Sequence, residues 1–140
     1  MFQRDLIMRE IEQAIRVLLH VLAQTFRLKS EERYEEALAY LREAFGEADL
    51  SPRPVGELSP RELVALCRYP RGFEYGLALA IADLLCEEAD LLTQLGSLPE
   101  ARARAAGARA LYEEALATEG AALPLDIAQR LARAERLAEE

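Results

Sequence analysis

Apolar residues recur at spacings of three and four through almost the whole chain, and glycine and proline cut that periodicity into a few long runs. The period is that of an α-helix face, and the residues that fill it agree. Leu and Ala each occur 25 times in 140 residues, whereas Val, Ile, Thr, Phe, Tyr and Trp together make 21. A sheet protein is excluded, and an all-α fold is expected. Hydrophobic content of 51% in a chain of this length is enough to bury the core of one domain, taken as residues 1–140.

The spacing predicts six helices, at about 4–28, 30–48, 60–68, 73–95, 98–119 and 124–138. In the first, Ile7, Ile11, Ala14, Ile15, Leu18, Leu22 and Phe26 share a face, while Val17–Ala23 is apolar nearly all round and calls for cover on more than one side. Ser30 reads as the N-cap of the second helix, so that the first two form an antiparallel hairpin. Gly46–Leu58 holds two prolines and two glycines and reads as the longest loop. Ser59-Pro60-Arg61-Glu62 then carries a full helix-start signature: cap residue, proline at the first helical position and glutamate at the third. The fourth helix turns Leu77, Ile81, Leu84, Leu85, Ala89, Leu92 and Leu95 inward. Ser97 and Glu100 read as a second capping box that opens the fifth helix, giving a second hairpin. The last helix, with Ile127, Leu131, Ala134 and Leu137 on one side, reads as a cap over the bundle.

The formal net charge of -8 opposes nucleic-acid binding, and the arginines of the last two helices alternate with glutamates or spread around the helix. Met1–Glu12 carries charges every few residues and lacks a secretory pattern, and the apolar windows Val17–Ala23 and Leu77–Leu85 are too short to cross a bilayer. A cytoplasmic protein without membrane contact is expected. Cys67 and Cys86 sit in apolar helical patterns and read as buried, inert thiols. His20, the only histidine, has no carboxylate three or four residues away and reads as a partly buried structural residue. No catalytic constellation, cofactor site or metal site is expected.

Asp83, Glu87 and Asp90 fall at i, i+4 and i+7 of the fourth helix, with Glu88 beside them, and form a carboxylate ridge. Its simplest reading is a solvated acidic face; its functional reading is a surface for a basic protein partner. Arg68-Tyr69-Pro70-Arg71-Gly72-Phe73 mixes basic and aromatic residues in a connector, more in keeping with a loop tucked onto the core than with a ligand grip.

The hexapeptide YEEALA occurs twice, at Tyr34–Ala39 and Tyr112–Ala117, each time on the second helix of an expected hairpin. Glu32-Arg33-Tyr34-Glu35-Glu36-Ala37 with Leu41 and Ala44 resembles the turn and second helix of a tetratricopeptide repeat. Ala89, Gly96-Ser97-Leu98-Pro99-Glu100-Ala101 and Ala108 fall at the corresponding small-residue offsets of a second unit. The resemblance covers Arg16–Phe45 and Ile81–Ala117, departs from the pattern at Thr25, and is interrupted by the third helix. The opening MFQRDLIMREIEQ is similar to the start of a family of small bacterial proteins and carries no activity with it.

The tetratricopeptide-like frame implies a non-enzymatic protein-interaction or scaffold module. In it Asp83, Glu87, Asp90, Thr93 and Gln94 would form a partner-binding face. Leu19, Leu22 and Phe26 would line a concavity to be covered either by the sixth helix of the same chain or, the reading preferred, by a second subunit in a homodimer. The alternative is a small-ligand-binding or enzymatic helical domain, which a pocket lined by polar groups from several helices would favour.

Overall fold

A computed structural model describes residues 2–47, 50–51, 53–68, 72–118 and 120–139, with side chains from residue 9 onward. The described residues contain six α-helices and no strand: α1 (Phe2–Ser30), α2 (Tyr34–Glu47), α3 (Pro60–Leu66), α4 (Tyr75–Gln94), α5 (Leu98–Ala117) and α6 (Ile127–Glu139). A 3₁₀ turn, Val55–Glu57, interrupts the expected loop between α2 and α3, and its Val55 is buried while Leu50 and Leu58 pack on the core.

α4 is the central element. It packs against α1, α2, α5 and α6, and its buried set includes Leu79, Ala80 and Ala82 as well as the inward face read from the sequence, except Leu95, which is exposed where the helix ends. A helix covered by four neighbours buries apolar residues around most of its circumference, and the carboxylates at 83, 87, 88 and 90 are the exception. α5 runs antiparallel to it: Asp83 meets Tyr112 near one end and Glu88 meets Arg104 near the other. Alanines 101, 105, 108 and 115 of α5 are buried, so the two helices approach closely. A Cβ on Gly107 would lie 2.6 Å from Leu63 Cδ1, so the glycine forms the notch into which α3 seats its buried leucine. The two YEEALA copies share a buried alanine, Ala37 and Ala115, but Tyr112 is buried and Tyr34 only half so.

Four helix starts show how local chemistry sets the boundaries. At α3 the expected capping box is present: Ser59 Oγ accepts from Glu62 N at 3.2 Å, and Glu62 Oε1 accepts from Ser59 N at 3.0 Å. Ser30, by contrast, does not cap α2. It ends α1, donating its hydroxyl to the Arg27 carbonyl at 2.7 Å, beside the bond that the same carbonyl accepts from Glu31 N. Glu32 then takes a positive φ of 59°, and the Arg33 carbonyl accepts the first bond of α2 from Ala37. Ser97 precedes α5 without making a side-chain cap, because Glu100 is drawn to Arg42, 3.0 Å away. α6 begins at Ile127 rather than 124, with the Asp126 carbonyl accepting from Arg130 N. No helix among the described residues is long and apolar enough to cross a membrane.

Candidate functional site

The carboxylate ridge of α4 is not a solvated face. Glu87 is 1% exposed and accepts from Lys29 Nζ of α1 at 3.0 Å and from Arg133 of α6 at 2.7 Å. Asp90 pairs with the same Lys29 and lies 3.7 Å from Arg133. Asp83 accepts from the buried Tyr112 hydroxyl at 2.5 Å and from Arg130 at 3.0 Å. α6 therefore delivers two guanidinium groups one helical turn apart onto the ridge, and Lys29 closes it from the other side. Of the remaining residues of the expected partner face, Thr93 turns its hydroxyl back to the Ala89 carbonyl at 2.9 Å and Gln94 is exposed at the helix end.

These contacts tune the groups involved. Burial pushes the Asp83 carboxyl above its ordinary value, against the opposing pull of the Tyr112 hydrogen bond and the Arg130 charge. The Tyr112 phenol is raised as well, first by burial and then by the neighbouring Cys86 and Asp83. For Lys29, burial favours the neutral amine, but the Asp90 hydrogen bond and the Glu87 charge outweigh it and hold the ammonium above its usual range.

Between α1 and α6, with α4 as its floor, lies a cleft of about 340 Å³. One wall is apolar, Leu22 and Phe26; the other is Gln129, Arg130 and Arg133; Asp83, Cys86 and Glu87 with Tyr112 of α5 form the base. Phe26 is 48% exposed and Leu19, two turns away, 51%, whereas Leu22 is half-buried. The expected cover of Val17–Ala23 on more than one side is therefore not found among the described residues. Leu18 and Val21 are buried, but Leu19, His20 and Ala23 face outward, because α2 and α4 occupy only one side of α1. His20 is accordingly an exposed residue, not a partly buried one.

Glu88, which the sequence marks only as a neighbour of the ridge, is a second buried carboxylate. At 2% exposure it accepts from Arg42 of α2 at 2.9 Å and lies 3.1 Å from Arg104 Nε of α5. The contact to Arg104 is poorly aligned, so Glu88 Oε1 and Arg104 Nε form no hydrogen bond among the described residues. The 3₁₀ turn closes over this pair, and a Cβ on Gly56 would come within 2.9 Å of Arg104 Nε. The surrounding cavity is about 400 Å³ and is walled by Phe45, Pro54 and Val55. The sequence signal for this site is a charge inside an apolar run; its two arginines lie 46 residues before it and 16 after, a pairing no local pattern encodes.

Cys67 and Cys86 are buried and free, and burial pushes their thiols up to about 12 and about 11. No group of three or more His, Cys, Asp and Glu among the described residues is arranged to hold a metal ion. In the aromatic-basic connector, Phe73 packs on the core and Arg68 pairs with Glu114 at 2.5 Å; Tyr69, Pro70 and Arg71 lie outside the described residues. Comparison with protein-family models, curated proteins and solved structures found no match.

Proposed function

We propose that this chain is a non-catalytic protein-interaction module of the tetratricopeptide-like kind, acting in the cytoplasm, whose contact surface is the outer side of α1 and the cleft beside it. The observation that carries this reading is the stripe of Leu19, Leu22 and Phe26 on one face of α1, two of its three side chains about half exposed beside a cleft. Large apolar groups left in water cost about 25 cal/mol per Å² of surface, so a stripe of this kind is a place where another protein gains by binding. A second copy of the chain is the homotypic form of the same contact. Each carboxylate of the ridge is held by a basic side chain or a phenol of the same chain, which supports a structural role for the ridge over a catalytic one.

The test is site-specific photo-crosslinking in the native host. A benzophenone side chain at position 19 or 26 is expected to trap a protein that the same group at the exposed Glu113 of α5 does not. Equal yields from all three positions would remove the reading.

One observation favours a second reading. The cleft draws polar groups from α4, α5 and α6 opposite an apolar wall, the composition of a small-ligand pocket. Under that reading the trapped species at position 26 is a small molecule, and thermal stabilisation by a metabolite mixture replaces the protein crosslink as the positive result.

A further inference from the structure

The groove on α4 is filled by a helix of the same chain, and the way it is filled describes what else fits. α6 buries only Ala134 and Leu137 completely, whereas the fully buried set of α5 has seven members. Ile127 and Leu131 of α6 are only partly covered. Its apolar packing lies mainly along α5, and its hold on α4 is largely ionic: Arg130 on Asp83, and Arg133 on Glu87 and Asp90. It is joined to α5 through a stretch in which Gly120 has a positive φ and Leu125 stands fully in solvent, so it lifts away without unthreading any other described element. Toward α1 it does not close, which leaves the cleft bounded by Leu22 and Phe26.

We propose that α6 is a displaceable occupant of this groove and that the partner is a basic amphipathic helix of the same pattern. That pattern has apolar residues at i, i+4 and i+7, as at Ile127, Leu131 and Ala134, with arginine or lysine at i+3 and i+6, as at Arg130 and Arg133. The carboxylates of Asp83, Glu87 and Asp90 supply the charge complementarity, and Leu22 and Phe26 supply apolar surface that α6 leaves uncovered and an incoming helix gains. This rests on the interaction reading above. α6 competes as a tethered ligand, at the millimolar effective concentration typical of a short linker, so the groove admits only a helix that outcompetes it. A partner that also reaches Phe26 meets that condition.

Two measurements on the whole chain test it. Hydrogen exchange of the wild type is expected to show the amides of Ile127–Glu139 opening at least about tenfold more readily than those of α4 and α5, a gap of roughly 1.4 kcal/mol. Equal protection of α6 and α4 would overturn the proposal. The second probe is a labelled synthetic peptide of residues 124–139. It is expected to bind an Arg130→Glu/Arg133→Glu variant, whose own α6 is repelled from the ridge, and not the wild type. A peptide carrying the same two charge reversals is expected to stay free. A folded variant that ignores the wild-type peptide, or takes both peptides alike, overturns the proposed chemistry. A wild type that dimerises with α6 as protected as α4 overturns it too, in favour of α6 exchange between copies. Should the variant fail to fold, the exchange result on the wild type still decides. Exchange reads α6 without any partner, so its failure and a failure of crosslinking at position 26 are separate outcomes.

Discussion

Glu87 and Glu88 are neighbours on α4, each at most 2% exposed, and each is clamped by two basic side chains from two different helices. Successive residues on a helix diverge by about 100°, so the first reaches Lys29 of α1 and Arg133 of α6 while the second reaches Arg42 of α2 and Arg104 of α5. The pair ties α4 to all four of these helices. A buried ion pair adds little net stability over an apolar substitute, but stripping one partner leaves a buried charge behind.

That asymmetry separates the two arginines of Glu88. Arg104 is 16% exposed and Arg42 44%. Arg104→Ala is expected to lower the unfolding free energy by about 3 kcal/mol, and Arg42→Ala by under about 1 kcal/mol, since water replaces an exposed guanidinium. Urea titration of both variants checks the order; equal losses would contradict it.

The glycines offer a paired test of packing against propensity. A methyl group added to Gly46, in α2, would meet no neighbouring atom within 4 Å, so Gly46→Ala is expected to raise stability by about 0.5 kcal/mol. The same change at Gly107 places a methyl group against the buried Leu63 and is expected to cost about 1–2 kcal/mol despite the helix preference. Thermal denaturation of the two variants should move in opposite directions.

Asp83 sets an acid-side dependence of defined sign. Its carboxyl is raised in the folded chain, so the native state holds its proton more tightly than the unfolded one does. The stability this contributes is full below the unfolded value of about 3.9 and is lost as pH rises through the folded value. The stability of an Asp83→Asn variant relative to wild type should therefore climb as the pH rises above the unfolded value of about 3.9. A difference that falls over that range would mean that Arg130 and Tyr112 outweigh burial.

Thiol chemistry follows from the same cause. With Cys67 and Cys86 pushed up to about 12 and about 11, neither is a thiolate at neutral pH. An aromatic disulfide reagent is expected to leave both unlabelled in native protein at about pH 8 and to titrate both in urea. Fast labelling of either in the native state would place it at the surface.

Self-association is the remaining test of α1. Light scattering across concentration is expected to show a dimer at tens of micromolar, on the order of the weaker specific homodimers, that Leu19→Glu converts to folded monomer. Leu19 is exposed, so the substitution leaves the core intact. A wild type that stays monomeric would remove the homotypic contact.

The helices are legible in the sequence because each one advertises itself locally, through spacing, a cap or a breaking proline. Ser59–Glu62 is the clearest case, its cap and box lying within four residues. The start of α2 differs because Ser30 turns its hydroxyl to a carbonyl behind it; α5 starts where expected, but its box is not made, and Glu100 takes an arginine 58 residues away. The ridge of Asp83, Glu87 and Asp90 is visible as a pattern, but its burial is not. Burial depends on Lys29, Arg130 and Arg133 arriving from α1 and α6, and a charge written in an apolar run reads the same whether water or guanidinium meets it.

The notch at Gly107 also orders the events of folding. Seven residues are too few for a helix to hold in water, so α3 has no independent existence and becomes helical only when Leu63 finds its seat. The seat exists only once α4 and α5 have paired, a step that closes a short turn and is therefore quick. The α4–α5 pair is expected to form first and α3 to dock on it afterwards. A Leu63→Ala change should leave the rate of folding nearly untouched and accelerate unfolding.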